Sequence, residues 1–173
     1  MKFLEPHDPL LREPTKTWDF DNPPMDLENL CEQLCDTMSE RRGVGLSAIQ
    51  VGIPYSVFVM GEYTKPDDIV CVVNPKIVDY SNDIILAEEG CLTFPGLFGK
   101  IKRSNTIRAR FANPLGAVET VNISGFYARV FQHEYDHCQG IVYTQRMNTI
   151  HLEKARRQKV KLDRMRKRNG TRN

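Results

Sequence analysis

Residues 132–137 read QHEYDH, which sets His133 and His137 four positions apart with Glu134 directly after the first. On a helix that spacing stacks both imidazoles on one face, one turn apart, where they can reach a single cation. Glu134, about 100° further around, leans over the open side of such an ion. The flanking stretch GFYARVFQHEYDHCQG supports the helix, because Phe126, Val130, Phe131 and Tyr135 supply an apolar stripe.

Working outward, MDLENLCEQLCDTMSERR places Leu27, Leu30, Cys31, Leu34, Cys35 and Met38 at helical intervals, with Asp21 or Asn22 as the expected cap. Cys31 and Cys35 read as small apolar core positions of that helix. Between the two helices lie β-rich runs: YSVFVM, IVCVVNPKIV, NDIILAEEGCLTFP, KIKRSNTIRARF and AVETVNISG. Turn signals such as KPDD, YSND and ANPLG separate them, and no helical crossovers intervene. The pattern predicts an α+β fold with mixed or antiparallel sheets around the HExxH helix, an N-terminal helix and a basic C-terminal helix over roughly 149–168. Residues 1–24, rich in Pro and Asp, read as looping chain that wraps the domain.

A length of 173 residues suits one domain, with a catalytic body over 1–148 and a basic helix and tail over 149–173 belonging to it. The net charge of +2 hides an asymmetry: residues 151–173 hold ten Lys/Arg against two Asp/Glu, leaving the first 150 residues at −6. Neither a leader pattern nor an apolar run long enough to span a bilayer is visible, which predicts a cytoplasmic protein without a membrane partner. Five cysteines without repeated spacing fit reduced thiols better than a disulfide framework.

A catalytic zinc-type site needs a third protein ligand and an open position. Downstream of HEYDH the choice is Glu153, the residue type of a zincin-like metalloendopeptidase, but it sits among Lys and Arg on what reads as a solvated face. Upstream, Cys91 in EEGCLTFPG is the better candidate, because Gly90, Pro95 and Gly96 mark a bent backbone and the metal would itself deprotonate the thiol. One thiolate and two imidazoles leave a divalent ion with a net charge of +1, able to activate water. In GVGLSAIQ, residues 43–50, Gly43 and Gly45 give a backbone that something can approach closely, and Gln50 offers a neutral amide to an oxyanion. A closed structural site would need a fourth ligand; Cys138, one residue past His137, points elsewhere and reads as core.

GVGLSAIQ, EGCLT and HEYDH, in this order and at these separations, resemble the three motifs of the peptide deformylases. The likeness runs from DPLLREPT to IVYTQRM and the terminal helix. It implies a metal-dependent amidohydrolase of protein biosynthesis and N-terminal processing, which removes the formyl group from N-formylmethionyl nascent chains. Cys91, His133 and His137 would hold the metal, usually ferrous iron in that family with Zn2+, Ni2+ or Co2+ as replacements. Glu134 would activate the metal's water as general base and acid, with Gln50 and the Leu92 N–H as oxyanion donors. Val44, Gly45, Leu46, Phe126 and Val130 would bind substrate, Gly45 through its backbone and Val44, Phe126 and Val130 as the methionine pocket. Arg103 would pair with Glu89 behind the ligands. Ser47 and Thr93 stand where the family usually has Ala and Ser, and LFGKIKR has its own character. The basic tail suits the ribosome, with sequence-specific DNA binding not expected. Removing it near Thr149 is expected to abolish salt-sensitive ribosome binding and spare peptide activity.

Overall fold

The computed structural model describes residues 1–65 and 68–170, with side chains of the last helix through residue 165. The cations expected at 166–173 therefore lie outside the described side chains. Helix α1 (Leu27–Glu40) is followed by strands β1 (Gly45–Ser47), β2 (Val57–Met60), β3 (Val70–Tyr80), β4 (Ile84–Glu89), β5 (Gly99–Ser104), β6 (Thr106–Ala112) and β7 (Val118–Ser124). Helices α2 (Gly125–Cys138) and α3 (Thr149–Gly170) complete the order. Strands β1-β2-β3-β6-β7 form one sheet and β4-β5 a second, with every ladder antiparallel. The architecture is α+β, as the sequence predicts.

Helix α1 buries Leu27, Leu30, Cys31, Leu34 and Met38 against β1 and β2. Its cap is Asp26 rather than Asp21 or Asn22: the Asp26 carboxylate accepts from the Asn29 N–H at 3.0 Å. A cap must directly precede the first helical residue, whereas Asp21 and Asn22 donate their N–H groups to Asp19 in a separate turn.

The run KIKRSNTIRARF is two strands, not one. Asn105 breaks it, donating its N–H to the Asp83 carbonyl and its amide to the Asp83 carboxylate. The chain thereby leaves the small sheet at Ser104 and enters the large one at Thr106. In β3 the ladder shifts between Val73 and Lys76, where Asn74 takes a left-handed φ of 51°. The Asn74 side chain accepts from the Trp18 N–H and donates to the Trp18 carbonyl, which fixes the N-terminal segment with Trp18 in the core.

Helix α2 is buried on nearly every side, because β1, β2, β6 and β7 cover one flank and β5 another. Phe131 stacks edge-on with Phe58 at 5.1 Å and packs beside Phe111, fixing the helix on the large sheet. Helix α3 reaches the body through Leu152 and Ala155, which pack with Leu97, Ile101, Tyr143 and Met147. No helix among the described residues is long and apolar enough to cross a membrane.

The expectation of five reduced thiols is corrected: Cys31 of α1 and Cys71 of β3 are joined as a disulfide, while Cys35, Cys91 and Cys138 are free. The pair is 40 residues apart, so only the packing of α1 over the sheet brings the two together.

Candidate metal centre

The Cys91 Sγ lies 3.4 Å from His137 Nε2, and the ligand atoms of Cys91, His133 and His137 all fall within 4.8 Å of one another. Donors around one tetrahedral ion at bond lengths of about 2.0–2.3 Å sit roughly 3–4 Å apart, so this grouping fits an ion. The two histidines come from consecutive turns of α2, and Cys91 from the turn after β4. His133 Nδ1 donates to Glu89 Oε2 at 3.1 Å, which leaves Nε2 for a ligand bond. His137 Nδ1 is buried without a hydrogen-bond partner among the described residues.

Behind His133 stands a buried charge network. Arg103 donates to both Glu89 oxygens at 3.0 Å and reaches Asp136, and Arg146 donates to Asp136 Oδ1 at 2.7 Å. Arg129 adds a bond to Glu89 Oε1 at 2.6 Å and donates to the carbonyls of Ile85 and Ile101. Buried charges survive only with such complete pairing. Burial alone would raise the Glu89 pKa, but hydrogen bonds from His133 and Arg103 hold it down at about 2. Burial would lower that of His133, yet hydrogen bonds with Cys91 and Glu89 lift it to about 10. His137 shifts the other way, because burial and the neighbouring His133 and Arg103 hold its pKa well below the ordinary value. Because the folded Glu89 pKa is depressed, its contribution to stability is present above the ordinary value of 4.5 and is lost as pH falls from there toward about 2. Equilibrium unfolding followed from about pH 5 to about pH 2, across that window, is expected to show stability dropping with acidity, and Glu89→Gln to flatten the slope.

Glu134 is buried beside the ligands, and the Ser47 hydroxyl donates to its Oε2 at 2.8 Å. Burial raises its pKa, against the lowering effects of His133 and Ser47. Gly45 is required here: a Cβ on it would come within 2.9 Å of Glu134 Cγ and Cδ. Gly45→Ala is expected to push the carboxylate aside and cut turnover roughly tenfold to a hundredfold with metal content kept, as steady-state rates and metal analysis would show.

Gln50 also lies at the site. Its carbonyl accepts from the Ser47 N–H at 2.8 Å, and its Nε2 donates to Cys91 Sγ at 3.3 Å and Thr93 Oγ1 at 3.1 Å. No acceptor takes the Leu92 N–H among the described residues. A cleft of about 950 Å³ opens over this floor and is lined by Val44, Gly45, Gln50, Leu92, Phe126 and Val130 among others. Leu46 presents no side chain to this cleft. Its side chain is fully buried in the core with Leu34 and Met38, because strand alternation turns it away from the cleft that Gly45 faces.

Glu153 is not brought to the site: it is exposed on α3 and pairs with Arg157 at 3.8 Å, so the zincin-like ligand set is not assembled. Cys138 packs with Phe58 and Phe131, and burial pushes its thiol up to about 12. Sequence reasoning missed Ser47 as the partner of Glu134 and the roles of Arg129, Asp136 and Arg146. The one available signal was that Glu89, Arg103, Arg129 and Asp136 are charged residues within predicted strands and a helix.

A cysteine sulfur and two imidazoles beside a buried glutamate, carried on an α+β frame, form a donor set suited to a single metal ion. The profile of the polypeptide deformylase family matches residues 1–153. The chain belongs to that family. It is 41% identical to a peptide deformylase of Thermotoga petrophila over 82% of this chain and 83% of the relative. It is 35% identical to the chloroplastic/mitochondrial peptide deformylase 1B of Arabidopsis thaliana over 90% of this chain, though it spans only 57% of that relative's length. The crystal structure of the Thermotoga maritima peptide deformylase superposes with a TM-score of 0.79 at 36% identity, covering 85% of this chain and 97% of that one.

Proposed function

We propose that the chain is a peptide deformylase, hydrolysing the formyl amide of N-formylmethionyl nascent polypeptides and releasing formate. The observation that carries this reading is the convergence of Cys91, His133 and His137 at a distance suited to one ion, with Glu134 buried alongside. Ferrous iron is the proposed metal, with Zn2+, Ni2+ or Co2+ able to replace it; the mixed thiolate and imidazole donor set suits all of them. The ion supplies Lewis acidity, which makes water nucleophilic near neutral pH.

The chain's own residues do the rest. Glu134, held by Ser47, takes the proton of the attacking water and returns it to the departing amine. A carboxylate with a burial-raised pKa suits both directions of that transfer. The tetrahedral oxyanion is stabilised by the free Leu92 N–H and by the Gln50 amide, which turns one N–H from Cys91 to do so. Gly45 pairs its backbone with the peptide, and Val44, Phe126 and Val130 receive the methionine side chain. Leu46 contributes backbone alone. Glu89, fixed by Arg103 and Arg129, orients His133.

Metal analysis combined with formate release from formyl-Met-Ala-Ser tests the assignment. Equimolar metal with rapid formate release is expected; hydrolysis of casein with formyl peptides ignored would overturn it.

Residues 1–148 are proposed as the catalytic body, and 149–173 as a basic extension of the same domain, working in the cytoplasm at the ribosome. The cationic composition of the extension supports contact with phosphate-rich RNA. Because Leu152 and Ala155 pack into the body, truncation near Thr149 would strip the core, and a cut after Gln158 is the better test. Ribosome binding that weakens with salt and is lost on that truncation, while peptide turnover stays, is the expected result in co-sedimentation. Binding indifferent to salt would count against it.

A further inference from the structure

We infer that this chain favours formyl-Met substrates carrying acidic residues at the second and third positions after methionine, read by Arg41 and Arg42. The inference rests on the deformylase reading of the site and concerns the far end of the same cleft.

Strand β1 is the edge of its sheet, pairing only with β2, so its other side offers free backbone groups to an extended peptide. A peptide lying there with its reacting end beside Glu134 can follow the cleft wall from Gly45 back toward the end of α1. Past Ser47 the chain turns into Ala48, Ile49 and Gln50, all buried, with the Gln50 amide held at Cys91 and Thr93. That wall leads past half-buried Val44 and buried Gly43 to Arg42 and Arg41, both exposed and both lining the cleft. Arg42 stands three residues before Gly45, across a bend and a turn, so the two arginines are next in line along the cleft wall for the second and third downstream residues.

What waits there is positive charge without a partner. Neither Arg41 nor Arg42 enters an ion pair among the described residues, whereas Arg129 and Lys159, the cleft's other strong cations, are paired with Glu89 and Asp163. The Arg41 guanidinium lies 5.6 Å from the centre of the Phe3 ring, which holds it at the cleft wall without neutralising it. His7, Glu5 and Glu88 also line the cleft, and neither carboxylate forms an ion pair with either arginine among the described residues. Arg42 sits in the left-handed region with φ 53°, so the turn that presents the two side chains is fixed by the helix end, where the Gly43 N–H donates to the Met38 carbonyl.

The test compares kcat/KM for amidated formyl-Met-Ala-Glu-Glu, formyl-Met-Ala-Ser-Ser and formyl-Met-Ala-Lys-Lys on the same enzyme preparation. Exposed ion pairs are individually weak, so the Glu-Glu peptide should exceed the Lys-Lys peptide by roughly three- to tenfold at low salt. The difference should lie in KM, because these contacts are far from the reacting carbon, and the ratio should fall toward one at about 0.5 M salt. In Arg41→Gln/Arg42→Asn, where Asn tolerates the left-handed backbone, the Glu-to-Lys ratio is expected to collapse at low salt as well. The ratio within each preparation cancels any change in overall activity, and the salt series on the parent stands even if the variant fails to fold. Equal turnover of all three peptides, or a ratio unmoved by salt, overturns the inference while leaving deformylase activity intact. If the Ser-Ser peptide is not turned over either, the activity assignment itself fails and the inference falls with it.

Discussion

Glu134→Gln is expected to keep its metal and lose about a hundred- to ten-thousandfold in kcat, the usual range for removing a general acid and base. The argument is one of shape against basicity. The amide has nearly the volume of the carboxylate, and its Oε1 can still accept from the Ser47 hydroxyl that donates to Glu134 at 2.8 Å. No metal ligand is altered, because the grouped ligand atoms belong to Cys91, His133 and His137. The fold should not suffer either, since burial already disfavours the charged carboxylate. What the amide lacks is a lone pair basic enough to take a proton from water. Metal analysis and formate release on one preparation decide the matter: a metal-replete variant with near-parental turnover would remove Glu134 from its proposed role.

The parts of this site that were legible in the sequence are those whose geometry is local. The spacing of His133 and His137 fixes one helical face, and the bend around Gly90, Cys91 and Pro95 marks the end of a strand. Gly45 could be read as a place of close approach, but not that the approaching group is Glu134, 89 residues away. Ser47 shows why. Its hydroxyl matters only because β1 packs against α2, and nothing local to a short strand reports that contact. The network of Glu89 with Arg103 and Arg129, and of Asp136 with Arg103 and Arg146, joins two strands, a helix and a turn, so only the Arg103–Glu89 pair was foreseen, through the family likeness. The splitting of KIKRSNTIRARF failed for a different reason. Its composition favours strand throughout, and the break at Asn105 depends on hydrogen bonds to Asp83. That Leu46 can meet a substrate only through its backbone was not legible, because a motif marks neighbours in sequence, while a strand sends alternate side chains to opposite faces.

The largest effect on the site itself is expected from Cys91→Ala. Partners that merely orient a metal ligand typically contribute ten- to a hundredfold to affinity, so deleting a ligand should weaken binding by at least about a hundredfold. Two further contacts go with the sulfur: Gln50 Nε2 donates to it at 3.3 Å, and His137 Nε2 lies 3.4 Å from it. Both groups would lose the partner that holds them toward the centre. Packing loss should be small, because Cys91 is only half-buried in a turn rather than set in a strand. Global stability is therefore expected to change little in the apo protein, which separates a lost ligand from a damaged fold. Cys91→Asp restores an anionic donor but a hard one, so it should recover an ion while shifting preference away from metals that favour thiolate. Competition against a chromogenic chelator gives the apparent Kd for each variant, with turnover read on the same samples. Parental affinity in Cys91→Ala would mean that the ion is held without residue 91, and both the ligand set and the reaction built on it would have to be abandoned.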